Sequence, residues 1–172
     1  MGKKKYFVIL LLLAIVHYTY AQVRMVEGEL TTGACISPEQ NTSPGAIIGA
    51  EIRLNLASGR ISPGAQLSQS FFDRKVDGFN QRERYTTFQA VCDYNFSPTS
   101  KIMPFVGVGL GLSGIGGDYL IGNDFSPVFI PRIGCEFVKW VRLSADYRWE
   151  KYNYSHFTFR VGLVIGGWNK RK

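Results

Sequence analysis

The chain has 172 residues and a formal net charge of +7, with 45% hydrophobic and 14% aromatic residues. Outside the two ends its basic residues are scattered, which excludes the clustered cationic stripe of a nucleic-acid-binding surface. Its three cysteines, Cys35, Cys92 and Cys135, show no CxxC spacing and read as small apolar fillers rather than a disulfide scaffold or a zinc site.

The first element is "MGKKKYFVILLLLAIVHYTYA". A lysine-rich start, a short apolar run and a small residue at the end form the pattern of a secretory signal peptide over residues 1–21, too short to span a bilayer as a helix. Cleavage before Gln22 would remove Lys3, Lys4 and Lys5 and lower the net charge from +7 to +4. About 150 residues then remain, enough for one domain or one small barrel, at 22–172. The Asn-x-Ser sequons at Asn41 and Asn153 would matter only in a eukaryotic secretory route, which is not expected here.

From Gln22 onward the apolar residues recur with period two, and turn-forming clusters interrupt them at fairly even spacing. Eight strands are predicted, at 27–36, 46–56, 61–72, 84–96, 102–113, 128–138, 141–151 and 157–168. The second, fourth and sixth connections, "ASGR", "SPTSK" and "VKW", are short. "SPEQNTSPG", "DRKVDGFNQRE" and "GIGGDYLIGNDFSP" are longer, and "NYSH" breaks the alternation. Short turns at one end and long loops at the other are the pattern of bacterial outer-membrane barrels.

Splitting each strand by parity separates two faces. In the seventh, Val141, Leu143, Ala145, Tyr147 and Trp149 oppose Arg142, Ser144, Asp146, Arg148 and Glu150. Pooled over the strands, the polar face collects Glu29, Glu51, Arg53, Asp93, Arg132, Glu136, Arg142, Asp146, Arg148, Glu150 and Arg160. A soluble lipocalin-like binding barrel would show the same alternation turned inside out.

Three observations place the charged face inside. Gly49, Gly107, Gly109, Gly111, Gly134, Gly162 and Gly166 share it, and strand glycines weaken a sheet unless they make room in a narrow lumen. Its six acids and five bases can neutralise one another. The aromatics sort into two girdles, one of Tyr94, Phe96, Phe137, Trp140 and Trp168 near the short turns. The other, near the loops, holds Phe71, Phe72, Tyr147, Trp149, Tyr152, Tyr154 and Phe157. If "VKW" is the turn, the register sets Glu136 opposite Arg142 and Arg132 opposite Asp146.

The leader ending "YAQ", then "PFVGVGLGLSG", "IPRIGCEF" followed by "VRLSADYRW", and the closing "FTFRVGLVIGGW" resemble the small outer-membrane β-barrel proteins. These are the OmpA-type transmembrane domains and the OmpX- and OmpW-like barrels, and more closely the short "porin family" barrels of Bacteroidota. The resemblance implies an all-β fold, an eight-stranded antiparallel up-and-down transmembrane β-barrel with short periplasmic turns and longer extracellular loops. It also implies residence in the outer membrane of a Gram-negative cell envelope. Outer-membrane lipids, lipopolysaccharide and the barrel assembly machinery are then the expected partners. Such barrels commonly end on an aromatic residue, whereas here Asn169, Lys170, Arg171 and Lys172 follow Trp168.

Chemistry is weakly signalled. His156, beside Ser155, could meet Asp146 in a Ser/His/Asp arrangement, but no oxyanion site is evident and no enzyme is expected. Asp118, Asn123 and Asp124 lack the alternation of a calcium loop, so neither metal nor cofactor is expected. A water-filled porin channel needs about sixteen strands. The leading reading is a structural or interaction protein acting through surface loops on an unidentified partner. The alternative is a narrow or laterally open conduit for small or apolar solutes.

Overall fold

The computed structural model describes residues 23–38, 42–56, 59–76, 79–98, 100–116, 125–150 and 155–166. Eight strands run in chain order: β1 Val23–Ile36, β2 Gly45–Leu56, β3 Ile61–Val76, β4 Phe79–Asn95, β5 Ile102–Gly116, β6 Phe125–Phe137, β7 Val141–Glu150 and β8 His156–Gly166. Each pairs antiparallel with the next, and β1 pairs with β8, so the sheet closes into a barrel with no free edge along its wall. Closure lets every strand satisfy its backbone within the sheet, which a bilayer requires.

All eight predicted strands are present, but β3 and β4 run further than periodicity suggests. Most of "DRKVDGFNQRE" is not loop. Phe72 to Val76 pairs with Phe79 to Glu83 as a continuation of the β3–β4 hairpin, flanked by cross-strand Arg82–Asp73 and Arg74–Glu83 ion pairs at 3.2 and 3.5 Å. Where a hairpin outruns its neighbours neither face needs an apolar row, so the alternation that marks a strand elsewhere is missing.

Burial decides the orientation of the faces. Along β7 and β8, Arg142, Asp146, Arg148, Thr158 and Arg160 are buried, whereas Trp149, Leu163 and Ile165 are 65%, 61% and 62% exposed. That is the inverse of a soluble binding barrel and the arrangement a lipid-facing wall demands. Tyr94, Phe96 and Trp140 lie outward toward the short turns, Trp149 and Phe157 toward the other end. Phe72 departs from the expected girdle. It is 3% exposed and packs inside the barrel on Tyr85, because its parity matches Ser70 and Ser68 rather than Phe71. Trp168, Tyr152 and Tyr154 lie outside the described residues.

The luminal glycines sit where large side chains pass. A Cβ on Gly107 would collide with the Asp93 carboxylate and lie 2.8 Å from the Cys92 carbonyl oxygen. One on Gly134 would meet the Phe105 ring at 2.5 Å. These close approaches, rather than any turn, explain why two strand positions carry no side chain.

Candidate functional site: the charged lumen

The interior is built in tiers because inward residues of neighbouring strands fall at similar heights. At the short-turn end Ser62 donates to Asn55 Oδ1 at 2.6 Å, and Asn95 Nδ2 donates to Ser62 Oγ and to the Gly59 carbonyl, both at 3.0 Å. This hydrogen-bonded tier carries no charge.

Above it lies the larger charge cluster. Arg53 pairs with Glu29, with Glu51 at 3.1 Å and with Glu27 at 3.6 Å. Arg132 on β6 crosses to β2 and grips Glu51 through two bonds of 2.8 and 3.1 Å, the fork geometry a guanidinium offers a carboxylate. It also donates to Asp93 on β4 at 3.1 Å. Arg142 on β7 donates to Asp93 as well, and lies 3.7 Å from Glu29 and 3.8 Å from Glu136. Its guanidinium carbon stands 3.5 Å from the centre of the Phe105 ring, a buried cation–π contact.

A bond from Gln89 to Gln66 separates this cluster from a smaller one. There Asp146 pairs with Arg160, and with Arg148 at 3.5 Å. Arg148, 0% exposed, reaches across from β7 to Ser68 Oγ and Thr87 Oγ1, both at 2.9 Å. At the loop end Ser70 Oγ lies 3.3 Å from His156 Nε2, and Phe72 and Tyr85 pack on the same imidazole.

All eleven residues of the predicted polar face are therefore buried in the lumen. The predicted register is also found, with Arg132 opposite Asp146 and Glu136 opposite Arg142. Glu136 and Arg142 lie within ion-pair distance at 3.8 Å, but the partners of the other pair differ. Arg132 turns to Glu51 and Asp93, while Asp146 is taken by Arg160 and Arg148. So narrow a barrel lets a long arginine span the lumen and reach a carboxylate on the facing wall that it can hold bidentately.

Two participants were not anticipated. Glu27 shares the parity of Glu29 and is buried, which makes seven luminal carboxylates to five arginines among the described residues. Phe105 is apolar and so carries no polar-face signal, although its parity with Gly107 and Gly109 puts it inward.

The hydrolytic arrangement is not assembled. Ser155 is bonded to the backbone of Glu150, and His156 is buried against Ser70 rather than Asp146. Asp118, Asn123 and Asp124 lie outside the described residues, and no cluster of metal-ligating side chains exists among the described ones. The three thiols are free, Cys35 inside the lumen and Cys92 on the outer wall.

The closed eight-stranded antiparallel barrel resembles solved structures in fold. Neisserial surface protein A aligns with a TM-score of 0.57 at 15% identity, over 82% of this chain and 95% of its own. The fold is that of the small outer-membrane barrels. Ail of Yersinia pestis aligns with a TM-score of 0.53 at 12% identity, over 81% of this chain and 99% of its own. The outer membrane enzyme PagL aligns at 0.50 and 15% identity, over 81% of this chain and 98% of its own. No family model and no curated protein matches the sequence. An enzyme stands among these neighbours, so likeness of fold does not carry activity to this chain.

Proposed function

We propose that this protein is an integral outer-membrane barrel, exported behind a cleaved leader at residues 1–21, whose lumen is sealed and whose role is structural or one of interaction with a partner. It acts through its surface connections, carries no cofactor and performs no catalysis. The barrel assembly machinery inserts it, and lipopolysaccharide and phospholipid surround it. The single observation that supports this most is that arginines bridge opposite walls at two heights, Arg132 and Arg142 in one tier and Arg148 in the other. A conduit needs a continuous path, and these bridges stand across it.

Conductance tests the reading. Protein refolded in detergent and added to a planar bilayer should give no unitary current steps, while its folded form still migrates differently from the boiled one on a gel. Reproducible steps from such folded protein would replace the sealed reading with the conduit.

A further inference from the structure

The outer wall carries a groove that the sealed-lumen reading does not use. Two adjoining depressions of about 570 and 540 Å³ share Ile133, Ala145 and Phe159. Register explains their shape. Ala145 pairs with Ile133 on one side and Phe159 on the other, so a methyl group forms the floor between two large side chains. The Tyr147–Phe157 ring pair, with centroids 4.6 Å apart, stands at the loop-ward end, and Phe137 at the short-turn end. Six residue steps separate Val141 from Tyr147, about 20 Å of strand. At the usual barrel tilt this is about 15 Å of height, one leaflet's share of a ~30 Å hydrocarbon core.

Charge marks the short-turn end of the same groove. In sequence, the connections at 57–60, 96–101 and 138–140 carry Arg60, Lys101 and Lys139 and no carboxylate, whereas the segments between the other strands contain Glu39, Asp77, Asp118 and Asp124 against the single Lys151. The Val138 N–H donates to the Lys101 carbonyl at 2.9 Å, which sets the Lys101 and Lys139 turns side by side below Phe137. Neither lysine is held in an ion pair among the described residues. Trp140 follows directly, at the level where an indole marks the membrane interface.

The backbone makes the choice of residues here notable. Val138 and Lys139 both have positive φ, 49° and 66°, with the Trp140 N–H donating to the Phe137 carbonyl at 3.1 Å. Two consecutive positive φ values in a hairpin turn favour Asn-Gly, and a β-branched residue there is an outlier. The turn is therefore not optimised for its own geometry.

We infer that the β6–β8 groove and the Lys101–Lys139 rim together seat one anionic phospholipid of the leaflet at the short-turn end, one acyl chain over Ala145 and the phosphate between the lysines. This rests on the membrane reading above and goes beyond it by naming a ligand class and a site.

The test uses the full barrel with Trp149→Phe and Trp168→Phe, leaving Trp140 as reporter, in phosphatidylcholine vesicles. Dibrominated phosphatidylglycerol or dibrominated phosphatidylcholine is added at low mole fraction, and quenching gives their relative association. Phosphatidylglycerol should be preferred by at least about five-fold at low salt. Lys101→Gln with Lys139→Gln should bring the ratio to about one. Ala145→Leu, which fills the groove from the lipid side, should weaken both lipids while keeping the preference. Inorganic phosphate at matched ionic strength should displace neither.

Equal quenching by the two lipids in the parent barrel, or a preference untouched by the lysine changes, overturns the site. So does displacement by phosphate alone, or a dimer whose contact hides Trp140 from both lipids. Failure of heat-modifiable protein to enter vesicles at all would instead overturn the membrane reading.

Discussion

Replacing Arg132 by methionine keeps most of the buried volume and removes three hydrogen bonds, two to Glu51 and one to Asp93. Neither carboxylate is left wholly alone, since Arg53 stands 3.1 Å from Glu51 and Arg142 holds Asp93. The expected loss is thus about 3 kcal/mol, the lower end of the 3–5 kcal/mol range for breaking a buried pair. The informative quantity is the coupling. Arg132→Met combined with Glu51→Gln should cost less than the sum of the single changes by about 1.5 to 2 kcal/mol, because both delete the same bidentate contact. Arg132→Met combined with Asp146→Asn should couple by less, below about 1 kcal/mol, because the two residues face each other in register and feel each other's charge but share no hydrogen-bond partner. Urea titration of the barrel refolded in thin-bilayer vesicles, followed by tryptophan emission and gel mobility, supplies the free energies. A coupling with Asp146 as large as that with Glu51 would refute the cross-lumen assignment and restore pairing between adjacent strands.

Gly107→Val should destabilise the barrel by about 1 to 3 kcal/mol through overpacking against Asp93, whereas Gly109→Ala, 3.3 Å from the Gln89 side chain, should cost less; the same titration compares them. Phe105→Leu should cost about 2 kcal/mol or more, since it removes the desolvated ring beneath Arg142 along with part of its buried area. Val138→Asn with Lys139→Gly should raise stability by about 1 to 2 kcal/mol through relief of two positive φ values, and a loss would show that the turn carries no strain. An epitope inserted at Asp77 should be labelled on intact cells and one between Ser97 and Lys101 should not, with the reverse result inverting the topology.

Strand number and facing were legible because a barrel wall imposes period two on every residue that crosses it. Val141 to Glu150 illustrates this, with an outward and an inward set that one shift in parity would exchange. The glycines at 107 and 134 were legible for a related reason. A residue that costs strand stability is explained only by something large opposite it, and the opposing groups are Asp93 and Phe105. The β3–β4 extension was not legible, because beyond the barrel rim no buried face enforces alternation on Asp73 to Val76. Phe72 was misplaced by proximity to Phe71 when parity with Ser70 was the sounder guide.

Ion-pair partners are a different order of information. Register is a property of two neighbouring strands and can be counted from the turn, which is why Arg132 opposite Asp146 follows from "VKW" alone. Which carboxylate a guanidinium takes depends on the width of the closed barrel, a property of all eight strands. Arg132 and Arg148 illustrate the consequence: both pass over the nearest wall, one to Glu51 on β2 and the other to Ser68 on β3. Contacts of that kind tie strands that share no backbone ladder, so the lumen braces the barrel across its diameter as the sheet does around its circumference. A continuous aqueous path and a cross-braced lumen compete for the same narrow space. Ion pairs join all five arginines there to six of the seven carboxylates, which favours bracing, because charges this deeply buried are tolerable only when they hold one another.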